Sequence, residues 1–308
     1  MVDPFDRARL ELSTSTGDGP TRHEGLVTAL ALATGWWPDR DWSAATTHHG
    51  AFHAVLVLPG QVVARVSKRL DPRGRVAAEH RLLSLLAAAG RWALPAPLGV
   101  PRSSPDGHAG MLVTWVSGVH REDAPWPDVA GELGTLLAAL AAGQVIAASG
   151  ELPPARAWCG GPDLPELVRT TLAPLLPVEA RGPAADAVAA VLEEERGAVP
   201  VHGDLGPHNI LWTADGRIAA LVDLDHAAVG DPAIDVAPLL GRFGATALSA
   251  VVEAEVLRRA MVHRATLSLQ VAAAAELAGD CGLRDFALRN FAARLASGTL
   301  HDPGGCTP

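Results

Sequence analysis

No tyrosine occurs in this sequence, lysine occurs once, at Lys68, and aromatic residues make up 4% of its 308 positions. Any role that needs a lysine ammonium therefore falls on Lys68. The three cysteines, Cys159, Cys281 and Cys306, are odd in number and match no metal-ligand spacing, which excludes a disulfide framework and a cysteine-built zinc site. They read as reduced thiols of a cytoplasmic protein. A basic stripe is also missing. With a net charge of −9 the chain lacks the cationic footprint that displaces counterions from a nucleic acid, so none is expected as a partner. Apolar runs such as Leu133–Ala142 are too short to span a bilayer, so no membrane partner is expected. Met1–Asp6 is acidic, with no positive region followed by an apolar run, so no signal peptide is expected.

What is present is a foldable soluble chain. Hydrophobic residues make up 48% and charged residues 19%, enough to build a core, and the length suits two lobes with a cleft between them. After a polar start, a helical stretch is expected at His23–Thr34. Strands Phe52–Val57 and Gln61–Val66 flank the Pro59-Gly60 turn, both rich in β-branched residues. A helix follows over Arg75–Ala89, with Leu82, Leu83, Leu85 and Leu86 on its apolar side, then a short strand, Met111–Val116. From there the pattern is helical, over Asp128–Ala142, Leu164–Leu175 and Ala184–Glu195. Strand signals return at Asn209–Trp212 and Ile218–Val222, and helices are expected at Pro232–Leu240, Ala247–Arg259, Val262–Ala278 and Asp285–Ala296. The Gly- and Pro-rich tail Asp302–Pro308 reads as loose. The fold class is α+β, with a β-rich N-lobe over 1–115 and an α-helical C-lobe over 116–308 that carries the catalytic loop and the acceptor-binding helices. Oligomeric state leaves no trace in the sequence.

Chemistry concentrates in residues 202–235. In Val201-His202-Gly203-Asp204-Leu205-Gly206-Pro207-His208-Asn209, a carboxylate and an amide lie five positions apart on one expected loop. A hydroxyl attacking a γ-phosphate needs an acceptor for its proton, and Mg²⁺ bridging the phosphates needs oxygen ligands. Asp204 and Asn209 supply one of each. Asp223, at the end of the strand Ala219–Val222, lies nineteen positions beyond Asp204, and a hairpin of that length returns it to the same metal as Asn209.

The order His-Gly-Asp-Leu-x-x-x-Asn, then Asp at a strand end, resembles the aminoglycoside phosphotransferase family and its bilobal protein-kinase-like fold. The resemblance implies a Mg²⁺-dependent small-molecule kinase with Asp204 as catalytic base, Asn209 and Asp223 on the metal, and His202 supporting the loop. Asp225, second in the family's Asp-x-Asp element, would assist the metal site from behind. Asp231 precedes Pro232 at a natural helix start, and Asp235 would brace the catalytic-loop backbone. His208 reads as an ordinary loop residue.

In the N-lobe the turn His48-His49-Gly50-Ala51-Phe52-His53 is the candidate phosphate cover, with Gly50, Ala51, Phe52 and His53 as contacts. It has one glycine, so it is not a Gly-rich loop in the protein-kinase sense. His49 and His53 are poorly spaced for zinc, and no cysteine is close in sequence. Arg65, in Val62-Val63-Ala64-Arg65, matches the cation position of kinase strand three. Lys68, three positions on, points to the opposite face of a strand and reads as a solvated charge. Glu79 is placed to hold Arg65, the alternative being an exposed helix glutamate. Thr114-Trp115-Val116 would offer backbone groups to the nucleotide base, though Trp115 fits a core position equally. The nucleotide is ATP, with GTP left open.

The family's acceptors include aminoglycosides, macrolides, other antibiotics, choline, homoserine and sugars. Gly50–Val55 together with His202–Gly206 is similar to phosphotransferases that inactivate peptide antibiotics of the viomycin and capreomycin type. Beyond Asp235 the acids Glu253, Glu255, Glu276, Asp280 and Asp285 interleave with Arg258, Arg259, Arg264, Arg284 and Arg289, which is no acidic trough for a polycation. The expected function is thus phosphorylation of an antibiotic hydroxyl, conferring resistance. A metabolic kinase acting on an amino alcohol or sugar, and a nucleotide-binding pseudokinase, stand as alternatives.

Overall fold

A computed structural model describes residues 20–50, 52–68, 71, 74–86, 92–142 and 152–308, with the side chains of residues 20–24 and 49 outside the description. Helix α1 (Pro20–Trp36) leads into β1 (Thr46–His49), β2 (His53–Leu58) and β3 (Val62–Ser67), followed by α2 (Arg75–Leu86), β4 (Arg102–Ser103) and β5 (Ala109–Thr114). These strands form one antiparallel sheet in the order β1-β2-β3-β5-β4. The period-two alternation of β2 and β3 gives its faces separate tasks. Ala54, Leu56, Leu58, Val62, Ala64 and Val66 pack with Ala29 and Ala33 of α1, and with Trp37 and Trp42 just beyond it. Val55, Val57, Val63 and Arg65 face the other way and line a cleft.

The second lobe follows as β6 (Val119–His120), α3 (Trp126–Ala141), α4 (Leu164–Leu167, continuing as π and 3₁₀ turns to Leu175) and α5 (Val178–Glu194). Strand β7 (Val199–Val201) precedes the catalytic-loop segment, and β8 (Ile210–Trp212) and β9 (Ile218–Leu221) form the hairpin after it. Then come β10 (Ala228–Gly230), α6 (Ala233–Leu248), α7 (Ala254–Leu277) and α8 (Cys281–Ala296). Strand β7 pairs with β10, and β6 joins the β8–β9 hairpin, all antiparallel. Among the described residues no helix is long and apolar enough to cross a membrane.

One apolar cluster ties the lobes together. Leu82, Leu83 and Leu86 of α2 and Met111 and Val113 of β5 share it with Leu133 and Leu136 of α3 and with Leu205, Ile210, Leu221 and Leu224 around the catalytic segment. Each such side chain removed from water contributes on the order of 1.5–3 kcal/mol, so the loop is anchored from below by several buried residues at once. Leu85, expected on that face, is only half-buried.

Three expectations change. Helices 247–259 and 262–278 are in fact the end of α6 and the single 24-residue α7. No glycine or proline separates them, and the polar residues that blur the pattern are buried with partners. Ser268 donates to Asn290 Oδ1 at 2.7 Å, and Arg264 donates to the carbonyls of Thr299 and Leu300. Helix α5 runs through Pro183 rather than starting after it, because Ala180, Ala184, Val188 and Val191 are buried together. The tail is tied down. Asp302, 1% exposed, accepts from Ala245 N–H at 2.7 Å at the kink in α6 and from the N–H groups of Gly304 and Cys306.

Candidate active site

The catalytic segment is fixed by its backbone. Gly203 has φ +86, and a Cβ there would lie 2.1 Å from the His226 carbonyl oxygen, so only glycine lets the two chain segments cross. Asp235, at the start of α6, accepts from the backbone N–H groups of His202 and Gly203, both at 2.9 Å. Burial pushes the Asp235 carboxyl up, opposed by His202 and these two donors. The fully buried His202 ring bridges loop and hairpin. Its Nε2–H donates to Val222 C=O at 3.0 Å, and Nδ1 accepts from Asp204 N–H at 3.4 Å, which together define one tautomer. Asp231 accepts from Ala233 N–H at the start of α6, from Arg196 N–H, and from Arg259 Nε and Nη2 at 2.7 and 3.2 Å.

Asp204 and Asn209 then meet. Asn209 Nδ2 donates to the Asp204 carbonyl at 2.8 Å and to Asp204 Oδ2 at 3.3 Å, so the Asn209 side-chain oxygen is the acceptor end of the amide. The β8–β9 hairpin returns the chain, with Val222 N–H donating to Asn209 C=O at 3.0 Å, so Asp223 follows directly beside them. Asp223 has φ +62, a left-handed conformation that costs a non-glycine residue on the order of 1 kcal/mol and that Asp tolerates better than most.

Arg65 crosses from the sheet to meet this group. Its Nε lies 2.6 Å from Glu79 Oε1, and its Nη2 lies 2.8 Å from Asp223 Oδ1 and 3.1 Å from Asp225 Oδ2. Glu79 is 4% exposed, so the reading of an exposed helix glutamate falls away. Burial opposes the charge of Arg65, but Glu79, Asp225 and Asp223 outweigh it and raise its pKa. Burial likewise opposes the Asp225 charge, yet Arg65 and a hydrogen bond shared with Asp223 hold that carboxyl well below the usual range. For Glu79 burial wins and its pKa rises, Arg65 acting against it.

His53 stands behind this cluster, its Nδ1 3.5 Å from Arg65 Nη2 and its Nε2 3.6 Å from Glu79 Oε2. Burial, then Arg65, keep it neutral. His53, Glu79 and Asp225 bring possible ligand atoms within 4.8 Å of one another, but the Arg65 guanidinium already lies within contact of all three. That set holds an arginine. A divalent cation fits elsewhere. Asp223 and Asp225 are close enough to share a hydrogen bond, and Asp223 and Asn209, both oxygen donors, line one cavity.

Gly50, Phe52, Arg65, Glu79, Thr114, Trp115 and Val116 line the same cavity, about 990 Å³, as Asp204, Asn209 and Asp223. Gly50 N–H closes its turn onto His53 C=O at 2.9 Å, and the Arg75 guanidinium lies 4.0 Å over the Phe52 ring. Trp115 is half-buried on the cavity wall rather than in the core. Ala51 lies outside the described residues, as does the His49 side chain. His202, Asp225, Asp231 and Asp235 do not line the cavity and sit behind it.

Several residues read differently in the structure. Lys68 is not a solvated charge. It is half-buried, lines the cavity and donates from Nζ to the Gly50 carbonyl. His208 is no ordinary loop residue either, since its Nε2 lies 3.8 Å from Asp204 Oδ2. Its ring occupies space that a Cβ on Gly206 would fill, at 2.3 Å from the His208 ring carbon, so the Gly-x-His spacing was the available signal. Trp158 and His226 stack on the opposite wall, centroids 3.9 Å apart, and nothing in their sequence separation of 68 positions announces it. Of the five acids beyond Asp235, Glu255 pairs with Arg258, Glu276 and Asp285 pair with Arg284, and Asp280, on the cavity wall, caps α8 at Leu283 N–H.

Asp204, Asn209 and Asp223 meet the Arg65–Glu79 pair at one cleft of a protein-kinase-like α+β fold, the architecture of a phosphoryl-transfer enzyme. The chain belongs to the phosphotransferase enzyme family (APH), whose model matches residues 49–277. It is 32% identical over 256 residues to the viomycin phosphotransferase of Streptomyces vinaceus, covering 76% of this chain and 87% of that protein. Among solved structures, the GDP complex of an aminoglycoside 2'-phosphotransferase-IIIa mutant superposes with a TM-score of 0.67 at 19% identity, over 88% of this chain and 98% of that one. A thermostable aminoglycoside phosphotransferase APH(4)-Ia mutant, in ternary complex with AMP-PNP and hygromycin B, gives 0.62 at 16% identity over 88% and 99%.

Proposed function

We propose that this protein transfers the γ-phosphate of a nucleoside triphosphate, ATP, to a hydroxyl of a peptide antibiotic of the viomycin type, and so confers resistance. The observation that carries the chemistry is the convergence of Asp204, Asn209 and Asp223 on one cavity wall, opposite Arg65 and the Gly50–His53 turn. Identity to the viomycin enzyme carries the acceptor class.

In this reading Asp204 accepts the proton of the attacking hydroxyl, with Asn209 holding its carboxylate in place. Asn209 and Asp223, assisted by Asp225, hold Mg²⁺, which when bound neutralises charge on the phosphates. Arg65, gripped by Glu79, faces the phosphates from the sheet, and the turn carrying Gly50, Ala51, Phe52 and His53 covers them. Thr114, Trp115 and Val116 present backbone to the base. His202, Asp231 and Asp235 keep the loop in register. Residues 1–115 bind the nucleotide and 116–308 the acceptor, and the reaction runs in the cytoplasm, where Mg²⁺ and nucleotide are supplied.

Expression in a sensitive bacterium, challenged with viomycin, capreomycin and an aminoglycoside, tests this. Resistance to the peptide antibiotics that disappears in Asp204→Asn, with a monophosphorylated product in the wild-type lysate, is the expected result. Turnover of a central metabolic alcohol without resistance would overturn the acceptor assignment and leave the chemistry.

A further inference from the structure

Arg65 has the position of the phosphate cation, but its charge is committed. Glu79, Asp223 and Asp225 lie within 3.1 Å of it, so its Nε and Nη2 donors are already taken by protein carboxylates. A triphosphate entering the cleft needs a further positive group near the turn that covers it.

Lys68 stands there. Strand β3 ends at Ser67, so Lys68 is released from the alternation that would send it to the α1 face with Ala64 and Val66. Its backbone is pinned beside the turn, Lys68 N–H donating to Phe52 C=O at 3.1 Å. Its ammonium donates to the carbonyl of Gly50, whose own N–H closes the turn onto His53. The same side chain lines the cavity with Arg65, Asp204 and Asp223. We propose that Lys68, the sequence's single lysine, is the ammonium that binds the nucleotide's terminal phosphates, exchanging the neutral Gly50 carbonyl for a phosphate oxygen, while Arg65 chiefly orders the carboxylates. An ammonium carries three donors on a flexible stem, and a hydrogen bond to a charged acceptor is roughly twice as strong as one to a neutral acceptor, so the exchange favours the phosphate. This inference rests on the nucleotide-dependent reading above.

Because lysine occurs once, the only amines that limiting acetic anhydride can mark are Lys68 and the chain's α-amine, and thioesters formed at cysteines are removed with hydroxylamine before analysis. The full chain is acetylated with and without Mg²⁺ and AMP-PNP, and peptide masses give the rate at each amine, while calorimetry on the same sample reports nucleotide binding. The expected result is slower acetylation of Lys68 by several-fold with no change at the α-amine. Equal rates alongside measurable binding overturn the role of Lys68 and leave the kinase reading standing. Failure of any nucleoside triphosphate to bind overturns both. In steady state, Lys68→Met is expected to raise KM for the nucleotide by about 10- to 100-fold, with Lys68→Arg recovering most of it. A Lys68→Met enzyme of unchanged melting temperature and unchanged nucleotide KM also overturns the proposal. If Lys68→Met melts early, protection of the wild-type lysine decides.

Discussion

Arg65 and Arg259 are both arginines held on carboxylates, one in front of the catalytic loop and one behind it. Arg259 meets Asp231 through two hydrogen bonds, with the exposed Glu255 carboxylate 3.7 Å from its Nη1, and Asp231 fills its remaining capacity with backbone N–H groups. One buried guanidinium there serves one buried carboxylate. Around Arg65 three carboxylates converge on one guanidinium. Of the two clusters, only the one around Arg65 opens onto the cleft, where Arg65, Glu79 and Asp223 line the cavity. The Arg259–Asp231 pair braces the loop from behind.

Asp204→Asn should separate the two regions most sharply. Phosphoryl transfer should fall by about 10²- to 10⁴-fold, the usual worth of a positioned base, with melting temperature and nucleotide binding retained; a turnover assay beside a melt checks it. Asp231→Asn should do the converse. It leaves Arg259 without its buried counter-charge and costs on the order of 3–5 kcal/mol in denaturant unfolding, while kcat of the folded protein falls far less than in Asp204→Asn.

That second variant carries a pH signature. Burial opposes the Asp231 charge, but Arg259 and the two N–H donors hold its pKa below the ordinary value. A depressed folded-state pKa gives stability that is fully present above the unfolded value, about 3.9, and is lost as pH falls through the folded one. The stability gap between wild type and Asp231→Asn should therefore be constant near neutrality and close below about pH 4, which unfolding midpoints across that range would show.

A smaller effect is expected for Arg65→Lys. Charge is kept, but a point charge cannot reach three carboxylates in the directions a planar fork does, so catalytic efficiency should fall about tenfold to a hundredfold. Asp223→Asn should shift the Mg²⁺ concentration for half-maximal activity upward while leaving stability almost unchanged, since Glu79 and Asp225 still hold Arg65; a Mg²⁺ titration reads it. An equal loss of stability in Asp223→Asn and Asp231→Asn would erase the distinction between the two regions.

Much of this site was legible in the chain because its groups are local. Asp204 and Asn209 share one loop, and hairpin length alone returns Asp223 to them. The alternation of β2 and β3 placed Arg65 on a face opposite to that of Ala64 and Val66. Other features were hidden for physical reasons. Lys68 looked solvated because it lies where the strand ends, and linear order does not show the Gly50 turn folding back onto its ammonium. His208 looked idle because nothing in a linear reading shows that the absent side chain of Gly206 is filled by its ring. The breaks in α6 and α7 were misplaced because buried polar residues in α7 imitate an exposed face when their partners, Asn290 and the carbonyls of Thr299 and Leu300, lie far along the chain.

By itself, the sequence determined the reaction chemistry and the α+β class, since both rest on short-range order, the spacing of 202–235 and the change from strand to helix periodicity. Tertiary structure alone decided which charges meet. The company Arg65, Lys68 and Arg259 keep is set by sheet, helix and loop meeting across the cleft, with partners up to 160 positions apart, and Coulomb energy depends on that distance in space rather than along the chain.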